Sequence, residues 1–150
     1  MIELRRIRYA PALFAALIEE APRTGGSFLL RLRDEWESGA NRFDRPGEAL
    51  FGAFDGERLV GVGGLNRDPW QPELGRLRHL YVLEAWRGRG AGRALAERIL
   101  AQASGRFTVV RLRTRAPEAV ALYRSLGFLP SEGEHETHRL RLPAPSLRGA

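Results

Sequence analysis

The spacing of apolar residues divides the chain into helical and extended stretches. Near the N-terminus, apolar residues recur at helical spacing at Phe28, Leu29, Leu32 and Trp36, and Ser27 is suited to cap this helix. Later apolar runs are short and are separated by turn residues such as Asp55-Gly56, a pair typical of tight hairpins. The pattern predicts strands over residues 2–9, 49–54, 58–65, 76–83, 107–113 and 135–142, a strand start and turn over 128–134, and helices over 12–20, 27–39, 90–104 and 117–127.

The order of these elements predicts a mixed α/β (α+β) fold. The strands and helices do not alternate regularly, because the order is strand, two helices, three strands, helix, strand, helix, strand. This order indicates a mixed sheet with helices on its faces. The strand–helix–strand unit over residues 76–113 is expected to pair its strands in parallel, with a right-handed crossover. A length of 150 residues suits one domain over residues 1–150, in which residues 143–150 are expected to form a flexible tail.

The composition is that of a globular protein in water. Hydrophobic residues make up 43% of the chain and charged residues 28%. No apolar run approaches the roughly 20 residues that span a bilayer, and the first residues lack the apolar stretch of a secretory signal. We therefore expect a cytoplasmic protein that has no membrane partner.

Residues that commonly bind metals are scarce. Cysteine is absent, which excludes disulfides and thiolate chemistry. The histidines are His79, His135 and His138. The last two lie three positions apart in a predicted strand and therefore face opposite sides, which is poor geometry for a shared metal ion. No metal site is expected.

The net charge of +6 comes from arginine alone, because the chain contains no lysine. Such a surface can attract polyanions, but the same composition can reflect a coding bias. The arginines are scattered along the chain and form no long basic block, so a nucleic-acid partner is not expected. The cluster at residues 87–93 needs a separate explanation.

Residues 87–92, with the sequence RGRGAG, join the strand over 76–83 to the helix over 90–104, and we call them the glycine turn. Glycines allow close approach of a ligand to the backbone, and the first amides of a helix are unpaired and lie at the positive end of its dipole. Such a turn suits a diphosphate, and Arg87, Arg89 and Arg93 add positive charge. A nucleoside-triphosphate loop needs a lysine, and the dinucleotide fingerprint fails at Arg93. An RNA-binding arginine-glycine segment is disfavoured by the flanking strand and amphipathic helix.

Two motifs resemble those of the GNAT family of N-acetyltransferases. In the family's acetyl-CoA signature, Arg or Gln is followed by two residues, Gly, one residue, and Gly or Ala, and Arg87, Gly90 and Gly92 occupy these places. Downstream, residues 119–128 (AVALYRSLGF) resemble the second motif, which ends in Gly-Phe. The resemblance covers nearly the whole chain. It implies a GNAT-like three-layer fold, with a central mixed, mostly antiparallel sheet of six or seven strands flanked by about four helices.

The resemblance also implies site residues, with acetyl-CoA as co-substrate and no metal. The diphosphate would bind amides at Arg87, Gly88, Arg89, Gly90, Ala91, Gly92 and Arg93. The strand at Leu80, Tyr81 and Val82 would hold the pantetheine arm, and an amide there would polarise the thioester carbonyl. Tyr123 would protonate the leaving thiolate of coenzyme A, although its position alone is equally typical of core packing. Ala116 stands where many family members have asparagine, so the contacts of that asparagine with the cofactor either come from elsewhere or are absent.

The general base stays open at this point. Glu73 lies just before the central strand, His79 lies within it and Glu84 follows it, and each can accept a proton directly or through water. Carboxylates at strand ends are commonly only solvated, and His79 is equally suited to packing.

These observations predict an acetyl-CoA-dependent N-acetyltransferase that acts on a primary amine. A small molecule, a peptide N-terminus and a protein lysine all remain open as acceptor. Acidic residues at 19, 20, 34, 35 and 37 either attract a cationic amine or form a solvated helix face. The alternatives are a non-catalytic acetyl-CoA-binding or regulatory domain and a basic nucleic-acid-binding protein, which leaves the second motif unexplained. A homodimer is the default assembly.

Overall fold

The computed structural model describes residues 1–8, 11–21 and 28–143, and they form a sheet with helices packed on it. The strands are β1 (Ile2–Arg6), β2 (Ala49–Asp55), β3 (Arg58–Arg67), β4 (Leu74–Val82), β5 (Val109–Leu112), β6 (Leu129–Pro130) and β7 (His138–Arg141). The helices are α1 (Ala15–Glu20), α2 (Phe28–Ser38), α3 (Ala91–Ala103) and α4 (Pro117–Ser125). The predicted strand end at Tyr9, the cap at Ser27 and the tail over residues 144–150 lie outside the described residues.

The seven strands lie in the order β1-β2-β3-β4-β5-β7-β6. All neighbouring pairs are antiparallel except β4 and β5, which are parallel. The predicted mixed, mostly antiparallel sheet with about four helices is therefore confirmed. The parallel pair is also the one predicted from the strand–helix–strand unit.

Several predicted element boundaries are wrong by two or more residues, and two of them have a clear structural reason. Strand β3 continues through Asn66 and Arg67 into the predicted loop, because these residues pair with Arg76 and Gly75 of β4. The last strand begins at His138 and not at His135. His135 has a φ of 68° and lies in a turn that closes from Glu136 N–H to Gly133 O.

Helix α3 packs on one face of the sheet through the stripe that its sequence predicts. Ala91, Leu95, Ile99 and Ala103 are all buried. Helices α1 and α2 contribute Leu17, Leu29, Leu32 and Trp36 to the same hydrophobic core. The four-residue spacing in α3 accounts for this burial, because residues at i and i+4 share one face of a helix.

Glycines in β3 allow neighbouring groups to approach the strand closely. A Cβ at Gly63 would lie 3.0 Å from the side chains of Ile99 in α3 and Leu80 in β4. A Cβ at Gly64, on the opposite face, would lie 2.5 Å from the ring of Phe43. Any larger residue would therefore push the helix or the ring away from the sheet.

Strand β4 contains an irregularity that determines the shape of the site. Val62 pairs with Tyr81 and Gly64 with Arg78, so two residues of β4, His79 and Leu80, lie opposite the single Gly63. This is a β-bulge, and His79 has the positive φ of 62° that goes with the distortion. Because a bulge bends its strand, β4 is directed away from β5 beyond this point.

We predict that Gly64→Ala lowers the free energy of unfolding by about 1–3 kcal/mol, because its methyl group overpacks against Phe43 and Leu50. Gly92→Ala is the matched control, since a Cβ there meets other atoms only at 3.8 Å. Urea unfolding of the two variants measures the difference. Equal stability of the two would contradict the tight packing at Gly64.

Candidate active site

A cavity of about 740 Å³ opens where β4 and β5 diverge. The two strands are paired only at Leu74–Val109, Gly75–Val110 and Arg76–Arg111. Beyond these pairs, the edge of β4 that faces β5 is no longer in a ladder with it, and the gap widens toward the start of α3. Helix α4 and residues 112–116 form the other wall, and Phe28 and Arg31 of α2 lie at the far end.

The glycine turn lies at one end of this cavity, where Arg87, Gly88, Ala91 and Gly92 line it. Gly88 and Gly90 have φ values of 76° and 87°, a region that side chains rarely adopt. A Cβ at either glycine would meet no atom within 4 Å, so the turn presents open backbone. Helix α3 begins here, and its first intrahelical hydrogen bond is donated by Ala94 to Gly90 O. The preceding amides are free to bind an anion, which fits the diphosphate of a coenzyme A thioester.

The arginines around the glycine turn hold it to the rest of the fold. Arg87 Nε donates a hydrogen bond of 2.9 Å to Val82 O, and its guanidinium lies 5.2 Å from the Tyr81 ring centroid. Arg93 donates to Ser125 Oγ in α4 at 2.5 Å. Arg89 lies over Trp86 and is exposed. Of the three, Arg87 lines the cavity, whereas Arg89 and Arg93 lie around the turn outside the lining.

Tyr123 in α4 lines the middle of the cavity and is only 4% exposed. Its ring packs edge-on against Phe128, with the centroids 5.5 Å apart. Burial raises the pKa of the phenol above its ordinary value, because the charged phenolate loses solvation. The hydroxyl therefore keeps its proton at neutral pH, as a proton donor requires.

His79 also lines the cavity, but it is buried between the rings of Phe28 and Phe43, at centroid distances of 5.8 and 6.1 Å. Neither ring nitrogen has a hydrogen-bond partner among the described residues. Burial, followed by the nearby charges of Arg78, Arg31 and Arg76, lowers the pKa of His79 to about 3. The imidazole is therefore neutral at neutral pH and only weakly basic.

The two carboxylates predicted as alternative bases lie elsewhere. Glu73 is exposed in the turn before β4, at the end where β4 and β5 are still paired, and it does not line the cavity. At about 3.3 Å per residue it is roughly 20 Å along the strand from His79. Glu84 is exposed, and its backbone N–H donates to Glu20 Oε2 at 3.0 Å. Neither carboxylate lines the cavity.

Sequence reasoning named Tyr81 and Glu20 but missed the contact between them, and it also missed a group of arginines at this site. Tyr81 donates a 2.5 Å hydrogen bond to Glu20 Oε2, which ties β4 to the end of α1. Arg31, Arg76 and Arg78 line the cavity near α2 and form what we call the arginine cluster. The alternation of Arg76 and Arg78 about the apolar Leu77 was the available signal for a shared strand face. Arg31 was not predictable in this way, because only the packing of α2 brings it near β4.

The sequence profile of the acetyltransferase (GNAT) family matches residues 10–128. The chain belongs to the GNAT family. The glycine turn and the motif with Tyr123 both fall within the matched range, so the structural site and the family match coincide.

Individual relatives agree with this assignment. The chain is 36% identical over 100 residues to the N-alpha-acetyltransferase RimI of Mycobacterium tuberculosis, a match that covers 63% of this chain and 62% of that protein. A protein from Exiguobacterium sp., proposed to be an acetyltransferase, has a crystal structure that matches this one with a TM-score of 0.84 at 27% identity. The match covers 94% of this chain and 93% of that protein. A Salmonella typhimurium protein, proposed to be an acetyltransferase and solved with acetyl-CoA, shares the fold. Its TM-score is 0.69 at 17% identity, and the match covers 97% of this chain and 98% of that protein.

No helix within residues 1–8, 11–21 and 28–143 has the length and apolar character to cross a membrane. Within the same residues, no three His, Cys, Asp or Glu side chains are grouped so that they can hold a metal ion.

We predict that Gly90→Asp weakens acetyl-CoA binding by about tenfold or more, because it places a carboxylate beside the bound diphosphate. Gly105→Asp is the control: Gly105 has a similar φ of 79° and equally open surroundings, but it follows the other end of α3. Calorimetric titration of both variants measures the effect. Equal losses of affinity would mean that the glycine turn does not bind the diphosphate.

The burial of His79 predicts a specific dependence of stability on pH. Its pKa is about 3 in the folded state, against 6.5 for the ordinary side chain, so the unfolded chain binds more protons between these values. Above pH 6.5 the neutral ring makes its full contribution to the stability of the folded state. As the pH falls below 6.5, the free energy of unfolding decreases by up to about 1.4 kcal/mol per pH unit.

His79→Asn removes the titrating ring and tolerates the positive φ. Urea unfolding between pH 6.5 and 5 is expected to show a flatter pH dependence for this variant than for the wild type. Parallel slopes would contradict the neutral, buried state of His79. The other two histidines are present in both proteins and therefore cancel.

Proposed function

We propose that this protein is an acetyl-CoA-dependent N-acetyltransferase that transfers the acetyl group directly to a primary amine. The observation that carries the proposal is the gap between β4 and β5, which joins an anion-binding helix start to a wall containing a buried, protonated tyrosine. Membership of the GNAT family supports the same reaction. Because the chain spans 62% of the RimI relative's length, that protein's substrate is not carried over.

The proposed roles follow from position. Free amides at the start of α3 bind the diphosphate, and the stretch of β4 at Leu80, Tyr81 and Val82, which lies beyond the pairs with β5, aligns the pantetheine arm. A β4 amide in this stretch polarises the thioester carbonyl. Acetyl-CoA supplies the acetyl group as a thioester, whose carbon–sulfur bond breaks as the amine nitrogen bonds to the carbonyl carbon.

Tyr123 is the proposed general acid. It gives its proton to the sulfur of departing coenzyme A, and the proton released by the amine restores the phenol through solvent. Because burial keeps Tyr123 protonated, the donor is ready at each turnover. His79 is the one candidate base from the sequence that lies in the cavity, but its low basicity gives it little power to deprotonate an ammonium ion. The amine is therefore expected to react after losing its proton to water.

Several expectations from the sequence keep the status of predictions. These are a single domain over residues 1–150, a cytoplasmic location and assembly as a homodimer. The absence of a nucleic-acid partner belongs with them.

We predict that Tyr123→Phe lowers kcat by about 10²- to 10⁴-fold, because the leaving thiolate loses its proton donor. The dissociation constant of acetyl-CoA is expected to stay within a few-fold of the wild-type value, since no binding contact is removed. Thiol release in the presence of an amine panel measures the rate, and calorimetry measures the affinity.

Two results would contradict this proposal in different ways. An unchanged kcat in Tyr123→Phe would assign the proton donor elsewhere. A wild-type protein that binds acetyl-CoA but acetylates no amine would instead be a non-catalytic binding domain.

A further inference from the structure

The arginine cluster lies on the face of β4 opposite α3. Gly63 and Leu65 of β3 share the face that packs on α3, and Leu77 pairs with Leu65, so Leu77 also faces α3. Arg76 and Arg78 alternate with Leu77 and therefore face α2. The 3.9 Å contact between Arg78 Nη2 and Glu35 Oε1 of α2 agrees with this placement. The cluster is thus on the other side of the sheet from the helix that forms the anion-binding turn.

The charges of the cluster are poorly neutralised. Among the described residues, neither Arg31 nor Arg76 forms an ion pair, and Arg78 has only its long contact with Glu35 and a 3.3 Å hydrogen bond to Asn66 Oδ1. Residues 9–10, 22–27 and 144–150 contain no aspartate or glutamate that could supply a further carboxylate. The whole cavity is lined by six arginines and one carboxylate, Glu118, which is exposed on α4.

Arg111 on the neighbouring strand shows how this protein neutralises a buried arginine. Its guanidinium contacts Asp68 Oδ2 at 2.6 Å and Glu136 Oε1 at 3.0 Å. Arg76 lies beside Arg111 in the β4–β5 register, yet among the described residues it forms no ion pair. It lies 5.6 Å from the centre of the Trp70 ring, and Asp68 acts on it without direct contact. The fold therefore has the means to pair an arginine on this face, yet it leaves Arg76 without an ion pair among the described residues.

Grouping these cations raises the electrostatic energy of the empty site. Burial lowers the pKa of Arg76, and the charge of Arg78 adds to this effect while Asp68 opposes it. Burial also lowers the pKa of Arg78, where Glu35 opposes the shift and Arg31 adds to it. The same three charges help to depress the pKa of His79. A bound anion would offset this repulsion, and such electrostatic strain at a cavity is typical of a binding site.

We propose that the acceptor amine carries a carboxylate group, which binds to the arginine cluster while its amino group faces the gap between β4 and β5. This inference rests on the proposed acetyl transfer. Arginine binds carboxylates through two parallel hydrogen bonds and thereby orients them. The cluster also disfavours an ammonium ion beside it, so it favours the unprotonated amine that reacts. A cationic acceptor such as a lysine-rich segment does not fit this end of the cavity.

The test measures kcat/KM for amines that differ only in the carboxylate. One arm compares free amino acids with their C-terminal amides. The other compares peptides amidated at the C-terminus, in which an N-terminal alanine is followed by glutamate or by glutamine. In at least one arm we expect a preference of about tenfold or more for the carboxylate form, as charged hydrogen bonds commonly give. The arm that shows it identifies the source of the carboxylate.

Variants connect that preference to the cluster. Arg31→Gln and Arg76→Gln are expected to reduce it about tenfold each, while Arg31→Lys and Arg76→Lys retain part of it because they keep the charge. Acetyl-CoA affinity should not change in these variants. Arg58→Gln is the control, since Arg58 is exposed at the start of β3 and does not line the cavity.

Three outcomes would overturn the inference. Neutral or cationic amines that react as well as the carboxylate forms would refute it and leave the acetyltransferase proposal standing. A loss of acetyl-CoA affinity in the glutamine variants would assign the cluster to cofactor phosphates. Acetyl-CoA binding without transfer to any amine would refute the proposed function and this inference together.

Discussion

Strand β4 leaves its parallel neighbour after three paired positions, and the whole site depends on this divergence. Without it, the backbone edge of β4 would be occupied by hydrogen bonds to β5, and no channel would connect the two faces of the sheet. The bulge at His79 and Leu80 bends the strand at the point where the pairing has ended. Gly63, directly opposite, accepts the bulge because a side chain there would collide with Leu80 and Ile99.

The closed end of the gap is held by a buried network of charges. Arg111 of β5 binds Asp68 from the loop before β4 and Glu136 from the loop before β7, and Arg139 of β7 also binds Glu136. The hydrogen bonds from Arg139 and Arg111 lower the pKa of Glu136 to about 2, so the carboxylate stays charged. Each charge in this group has a close opposite partner, which compensates the loss of solvation. The network thus joins β5, β7 and the loop before β4 on the side where the strands remain paired.

The two ends of the cavity present positive charge by different physical means. At the glycine turn, unpaired amides and the positive end of the α3 dipole present partial charges from a rigid backbone. At the arginine cluster, full charges on long side chains are concentrated beside a neutral histidine. Tyr123 lies along the wall between these ends, with its proton retained by burial. A diphosphate at one end and a carboxylate at the other would place the reacting groups toward the middle.

Local sequence determined the parts of this protein whose geometry depends on neighbours in the chain. Three features could be predicted from the sequence: the glycine turn, the buried stripe of α3 and the motif with Tyr123. They could be predicted because positive φ angles, helical period and capping depend on only a few neighbouring residues. The parallel pairing of β4 and β5 could also be predicted, because a helix that connects two strands lets the second strand run in the same direction as the first.

Only the tertiary structure decided how charges are distributed around the site. Arg31 meets Arg78 because α2 packs against β4, and no spacing in the sequence records that contact. Arg111 is neutralised by residues 43 and 25 positions away, whereas Arg76 beside it is not. Glu73 and His79, close in sequence, are separated by the length of a strand, so one is in water and the other is buried. Electrostatic energy depends on distance in space and on burial, and both are set by long-range packing.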